Sequence, residues 1–296
     1  MERVIAAQPG IQVFKKQSQA KEVWRRFRKG KGAVAGLIML SIILLLLVCA
    51  NLIAPYANAT NQDMAIKLQG PSFSHLLGTD AFGRDLFARI LHGGRTSLTI
   101  AVLATISSCV VGSALGAIAG YFGGKTDSLI MRTLDIFMSI PDILFTMAVV
   151  FALGAGFGNL LLALTLAYFT NYVRLVRSAV LNLADLDYVE AARAGGSSSA
   201  RIIITHILPN AMGVIIVNTT LNVAKIILYE STLSFLGLGM PPPAPEWGLL
   251  LADAREYMRV APYLMFFPAL AIVLCATSVN LIGDGLRDAL DPHLKS

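Results

Sequence analysis

Apolar residues in this 296-residue chain come in long blocks separated by short polar intervals. The pattern is neither the alternation of a half-buried strand nor the narrow stripe of a helix on a soluble core. A helix that crosses a bilayer needs about 20 predominantly apolar residues. Six blocks reach that length, at 33–54, 97–121, 133–153, 160–180, 211–236 and 260–282. No interval between them is long enough to hold a soluble domain. The pattern predicts an all-α, polytopic membrane protein with six transmembrane helices.

The polar intervals carry their own patterns. Ahead of the first block, "SQAKEVWRRFRKGK" fits either a basic interfacial helix with Trp24 and Phe27 in the headgroups or a structureless tail. Within residues 55–96, Phe82, Leu86 and Ile90 recur every four residues, and Asp85 stands four before Arg89. That spacing predicts a short helix on the membrane surface with an Asp85–Arg89 pair. In the second block Gly112, Gly116 and Gly120 share one helix face, which lets two backbones approach closely in lipid. After the fifth block, "LSFLGLGMPPPAPEWG" cannot continue a helix through its prolines, and Trp247 suits a membrane interface. Pro242, Pro243 and Trp247 are therefore candidates for an outer gate or a contact with a soluble partner.

Charge changes the picture by where it sits. Only 14% of residues are charged, against about a quarter in soluble domains, and the net charge is +6. Nine basic residues precede the first block: Arg3, Lys15, Lys16, Lys21, Arg25, Arg26, Arg28, Lys29 and Lys31. With the N-terminus in the cytoplasm, 17 Lys and Arg fall on the inside and 6 on the outside, with Lys225 left in a span. The positive-inside rule then places both termini in the cytoplasm. The charge is topological, and nucleic acid is not a partner it points to. The organisation that follows is a cytoplasmic basic segment 1–32, a first span 33–54, an extracytoplasmic segment 55–96 with its interfacial helix, a five-helix core 97–283 that includes a cytoplasmic loop 181–209, and a cytoplasmic tail 284–296. "ANA" at 57–59 looks like a signal cleavage site, but the apolar run ahead of it exceeds the usual 7–15 or so residues, so the first block is read as a retained anchor.

Candidate chemistry is sparse. Cys49, Cys109 and Cys275 fall in three different blocks, and the four histidines show no metal-ligand spacing. "GGKT" at 123–126 ends like a phosphate-binding loop, yet the glycine required five positions before the Gly–Lys pair is Ala119, and a tight turn is predicted instead. Four ionisable residues lie inside blocks: Asp135, Asp142, Lys225 and Glu230. Such residues line a polar pathway or pair between helices. Asp135 and Asp142, seven apart, share a helix face at about 10.5 Å. That is too far for two carboxyls sharing a proton at about 3 Å, and Pro141 breaks the helix between them. Lys225 and Glu230 are five apart, about 140° around a helix, so they do not simply neutralise each other.

The interval at 181–209 is unusual, with "EAARAGGSSSARIIITHILPN" at its heart. Asp185 or Asp187 can begin a helix through "YVEAARA", which Gly195 and Gly196 end and turn. A serine from 197–199 can cap a second short helix, Ile202, Ile203 and Ile207 give it an apolar face, and Pro209 marks the next span. Two short helices on a glycine hinge form a knob suited to a groove in another protein.

Here the residues resemble a known family. Glu190-Ala191-Ala192, then Gly196, then Leu208-Pro209 are similar to the EAA loop of the membrane subunits of bacterial ABC importers. His206 stands where that pattern usually has Ile, and "HILPN" is similar to the peptide and nickel branch. "HLLGTDAFGRDLFARIL" at 75–91, the proline-rich loop at 233–248 and "GDGLRDALDPHLK" at 283–295 resemble the same branch, so the resemblance covers nearly the whole chain. It implies a type I importer permease fold in the bacterial cytoplasmic membrane and one of two homologous permease subunits. It also implies separate cytoplasmic ATPase subunits that bind ATP and magnesium, an extracytoplasmic substrate-binding protein, and no catalytic residue or cofactor in this chain. Di- and oligopeptides are the substrates it favours, with glutathione, nickel or a metal chelate as alternatives. A secondary transporter would be expected to show inverted repeats with ion ligands at midplane, and an intramembrane enzyme a paired nucleophile and base; neither pattern emerges.

Overall fold

The computed structural model describes residues 19–290. Helix α1 (Gln19–Phe27) turns at Gly30 into α2 (Lys31–Val48); a break at Cys49 leads to two short pieces, α3 (Ala50–Ile53) and α4 (Tyr56–Thr60). After a loop come α5 (Leu86–Phe122), α6 (Gly124–Met138) and α7 (Asp142–Leu153). Then follow α8 (Phe157–Ala184), α9 (Asp187–Ala194) and the single turn α10 (Ser199–Arg201), which runs through a wide-turn stretch (Ile202–Ile207) into α11 (Leu208–Phe235). The loop that ends at Glu246 leads to α12 (Trp247–Ala254) and finally α13 (Tyr263–Leu290). Among the described residues five helical runs are long and apolar enough to cross a membrane, and α6 with α7, bent by 82°, makes the sixth when counted as one broken span. Every apolar block of the sequence is recovered.

The bundle is built on close backbone contact. A Cβ at Gly116 of α5 would lie 2.6 Å from the Val173 carbonyl oxygen of α8, and one at Gly120 would lie 2.9 Å from that of Arg177. The predicted small-residue stripe is thus the seam between α5 and α8. Around it Ile100, Ala101 and Ala104 of α5 pack with Leu160, Leu164 and Ala167 of α8, Ile226 and Ile227 of α11, and Ile272 and Cys275 of α13. A second close approach sets α2 on α13, where a Cβ at Gly36 would lie 2.7 Å from the Ser278 carbonyl oxygen.

The two ends of the bundle differ. At one end Phe27 and Ala33 pack on Ala289, and Asn210, Arg287 and Leu290 line one cleft, so α1, the start of α11 and the end of α13 lie together. At the other, the Tyr263 hydroxyl donates to the Gln69 and Thr79 carbonyls, tying the start of α13 to the segment before α5. The three cysteines are free.

Several expectations are corrected. Phe82, Leu86 and Ile90 do not form a surface helix: Leu86 opens α5, whose 37 residues run without a break into the span. Asp85 does not pair with Arg89. Its Oδ1 accepts the Ala88 N–H at 2.8 Å as the helix N-cap, and its Oδ2 meets His75 Nδ1 at 2.9 Å. Phe27 packs against α13 rather than in headgroups, leaving Trp24 exposed. The break at Pro141, by contrast, is as expected, and the bend there removes the helix face that Asp135 and Asp142 would have shared. Arg3, Lys15, Lys16, His293 and Lys295 lie outside the described residues.

Close packing at the seam makes a sharp prediction. Gly116→Ala places a methyl against backbone that cannot rotate away, so stability should fall by about 1–3 kcal/mol, the usual cost of overpacking. Gly158→Ala in α8, with nothing within 4 Å of its Cβ, should be neutral or mildly stabilising. Thermal unfolding of the purified subunit in detergent measures both; equal midpoints would remove the seam from the account.

Candidate functional site

The interval at 181–209 folds as a hairpin of helices. Asp187 is the first residue of α9, and no side chain caps it; Leu186 holds the N-cap position and Asp185 ends α8. Asp187 and Glu190 both lie in the first turn, where a negative charge complements the helix dipole. The other end of α9 closes in a Schellman motif. Gly196 N–H donates to the Arg193 carbonyl at 3.0 Å and Ser197 N–H to that of Ala192 at 3.1 Å, with Gly196 at φ +76°. Ser198 then caps α10, its Oγ accepting the Arg201 N–H at 3.4 Å.

The second short helix is not separate, which corrects the sequence reading. From Ser199 the chain stays helical through Phe235, and Pro209 lies inside that run. Proline has no N–H for the carbonyl four residues earlier, and its ring crowds that carbonyl. A locally widened turn relieves this, and Leu208 N–H donates to the Ile203 carbonyl five residues back. Asn210 Nδ2 donates to the His206 carbonyl at 2.6 Å, giving that oxygen a partner as well.

Val189 of α9 and Ile202, Ile203 and Ile207 bury themselves against Ala117 of α5, Val176 and Val180 of α8, and Ala211 and Ile215 of α11. The Arg193 guanidinium lies over the Tyr121 ring at 5.5 Å. The hairpin is therefore rooted on three spans. Glu190, Ala191, Gly195, Gly196 and Pro209 face outward, with Ala192, His206 and Leu208 half-buried. "GGKT" forms the tight turn expected between α5 and α6, both glycines at positive φ.

The ionisable candidates separate into different settings. Asp135 Oδ1 accepts from Arg174 Nη2 at 2.7 Å, an exposed pair between α6 and α8. A stronger link was not legible: Arg177 donates through Nε and Nη2 to both oxygens of Asp127, at 2.5 and 2.6 Å. Asp142 opens α7 beside the bend and is exposed, as is Lys225. Glu230 is wholly buried and accepts from the Ser231 hydroxyl at 3.3 Å. It does not pair with Lys225.

At the opposite end, Trp247 is not an outer contact. It is 1% exposed, its Nε1 donates to the Ile90 carbonyl at 2.9 Å, and its ring lies where a Cβ at Gly94 would be, 2.6 Å from Cζ2. A glycine on α5 makes room for the indole and draws it into the core. Pro242 and Pro243 remain exposed. Glu246, which sequence reasoning missed, is wholly buried, its Oε2 accepting the Met240 N–H at 2.8 Å. Nearby, Asp80 accepts from Arg84 Nε at 2.6 Å, while Arg84 and Arg89 reach Asp253 at 3.6 and 3.4 Å. Arg84, Asp80 and Asp253 border a cavity of about 220 Å³.

Comparison with known proteins agrees with this architecture. Residues 112–296 match the family model for the binding-protein-dependent transport system inner membrane component, and residues 18–71 match that for the N-terminal transmembrane domain of oligopeptide transport permease C. The chain is 42% identical to the dipeptide transport system permease protein of Alkalihalophilus pseudofirmus, over 93% of this chain and 90% of that one. It is 39% identical to the glutathione transport system permease protein of Pectobacterium atrosepticum, over 99% and 97%. A solved inward-facing structure of the MetNI methionine ABC transporter has the same fold, with a TM-score of 0.56 at 20% identity, covering 68% of this chain and 96% of that one.

The hairpin turn yields a graded prediction. Nothing lies within 4 Å of a Cβ at Gly196, so a side chain there suffers from φ alone. An ordinary L residue pays about 1–2 kcal/mol in that conformation, and Asn pays less. Hydrogen exchange in α9 should accelerate by about 5–30-fold for Gly196→Ala and by less for Gly196→Asn. Identical exchange in all three proteins would show that the turn does not hold the hairpin.

Proposed function

The chain belongs to the inner-membrane components of binding-protein-dependent transport systems, and from that premise we propose that it forms half of the translocation pathway of an ABC importer for di- or oligopeptides. It is a multi-pass protein of the bacterial inner membrane. The observation that carries the reading is the α9–α10 hairpin: an apolar root set on three spans, with Glu190 and Ala191 turned outward. A rigid, rooted knob transmits a push to the spans, where a loose loop would absorb it. Separate cytoplasmic subunits bind ATP with magnesium and each accept one such knob. A second, homologous permease completes the path, and an extracytoplasmic protein delivers the substrate. Import of glutathione is the second reading, favoured by the 39% identity to a permease of that name.

Glu190, Ala191, Ala192, Gly195, Gly196, His206, Leu208 and Pro209 make up the coupling element in this proposal. Asp142 at the bend and Lys225 on α11, both exposed in the isolated chain, are the ionisable residues available to the pathway. Pro242 and Pro243 are available to the delivery protein. The hairpin and both described chain ends belong to the cytoplasm, a placement supported by the gathering of α1, the start of α11 and the end of α13 at one end of the bundle.

Two measurements test this. In reconstituted transporter, Gly196→Val should retain the membrane spans but lose most transport, through failed assembly with the ATPases or hydrolysis without import. Glu190→Ala should do the same more mildly, since it removes contacts and leaves the turn. Normal transport together with normal stimulated hydrolysis in Gly196→Val would end the coupling role. For topology, Lys67→Cys and Lys125→Cys are placed singly in a chain without Cys49, Cys109 and Cys275. An impermeant thiol reagent on spheroplasts should label the first and spare the second; the reverse would invert the protein.

A further inference from the structure

Helix α1 has two unlike sides. On one, Phe27 is 4% exposed and packs with Ala33 and Ala289, with Val23, Ile282 and Leu286 against them. Gly285 of α13 makes that seat: a Cβ there would overlap the Ala33 methyl and lie 3.1 Å from Phe27 Cε2. The turn into α2 is bonded at each step. Arg28 N–H donates to the Trp24 carbonyl at 3.1 Å, Lys29 N–H to that of Arg26 at 2.9 Å, and Gly30 N–H to that of Phe27 at 3.1 Å. Helix α1 is therefore fixed to α2 and α13 rather than trailing from them.

The other side is basic. Lys21, Arg25 and Arg28 recur at intervals of four and three, so they share a helix face, the one turned away from the seat. All three are exposed, as are Lys29 in the turn and Lys31 at the start of α2. Among the described residues none of these five has an ion pair or a side-chain hydrogen bond. Glu22 of α1 is taken by Arg26 at 2.6 Å. Asp284 and Asp288 of α13 are exposed but lie off the face at 282, 285, 286 and 289 that meets α1. Trp24, half exposed, borders the basic stripe and stacks on Phe27 at 5.7 Å.

A solvated stripe of cations is common, and here its position selects a partner. After a three-residue turn comes α2, an apolar span of which little is buried in the bundle. The cations are thus held by the chain itself at the edge of the hydrocarbon, the depth that an indole ring also favours. Lipid phosphates are the anions at that depth. We propose that the Lys21–Arg25–Arg28 face of α1, bordered by Trp24, binds the headgroups of anionic phospholipids and so fastens α1 and the end of α13 to the membrane surface. A headgroup with net negative charge is held, whereas a zwitterionic one brings its own cation to the stripe. The site depends on the edge of the first span alone, and so is the same whichever substrate crosses.

The full-length protein in lipid nanodiscs tests this, with phosphatidylcholine alone or with phosphatidylglycerol mixed in, by amide exchange in α1. Phosphatidylglycerol should slow that exchange by about 5–30-fold, and high salt should reverse most of the effect. Lys21→Gln, Arg25→Gln and Arg28→Gln combined should abolish the difference between the two lipids. These are exposed positions, and unchanged exchange in α5 and α8 verifies that the bundle stands. Lys21→Arg, Arg25→Lys and Arg28→Lys combined preserve the charge and should preserve the difference. Equal exchange in the two lipids, or an effect that survives the three Gln substitutions, would overturn the proposal. So would slowing that appears only once the ATPase subunits are added, since the partner would then be an acidic protein surface.

Discussion

Helices α5 and α8 touch backbone to backbone, and the rest of the molecule is arranged around that seam. Lipid removes the usual incentive for helices to associate, since the surrounding chains are as apolar as leucine; close packing and hydrogen bonds must hold the bundle instead. Gly112, Gly116 and Gly120 bring the backbones together toward one end of α5, and Gly93 and Gly94 do the equivalent at the other, where Glu246 and Trp247 settle. The 37 residues of α5 span roughly 55 Å. One helix therefore carries both the root of the hairpin, through Ala117, and the anchor of the proline-rich loop, through Gly94.

Where the helices stop being regular, the backbone groups they free find partners. The Schellman turn at Gly196, the widened turn before Pro209 and the caps at Asp85 and Ser198 each do this with residues a few positions away. Side chains act over a longer range: the ionic network of Asp80, Arg84, Arg89 and Asp253 fastens the segment before α5 to α12. With Arg89 1% exposed, the two aspartates together keep a buried charge from being left unpaired, a state that typically costs about 3–5 kcal/mol.

Local rules made part of this legible. Span positions follow from apolar block length, the seam from glycines spaced by four, and the hairpin turn from the sole residue type at ease with a positive φ. The failures share a cause. Phe82, Leu86 and Ile90 have the same period on a membrane surface as at the start of a span, and Arg89 among them looked solvent-facing because its partner Asp253 is 164 residues away. Trp247 looked interfacial by residue type, yet a glycine on another helix decided its burial. Glu246 carried no signal, since its burial depends on the folded loop that brings the Met240 N–H to it. Within the hairpin, Pro209 was read as a start because prolines favour first turns; the widened turn that admits it mid-helix has no sequence signature.

That widened turn also sets an angle. A wide turn inserted in an α-helix behaves as one surplus residue, and one residue advances the helix by about 100°. The angle at which the hairpin's second arm meets α11 is thus set by chain count between Arg201 and Leu208, while Val189 seats its first arm on the bundle. Two chains with identical hairpins but one residue's difference in that stretch would aim them at different quarters of the same neighbouring surface. Length there is a dial on orientation, acting alongside the apolar residues that seat the hairpin on the bundle.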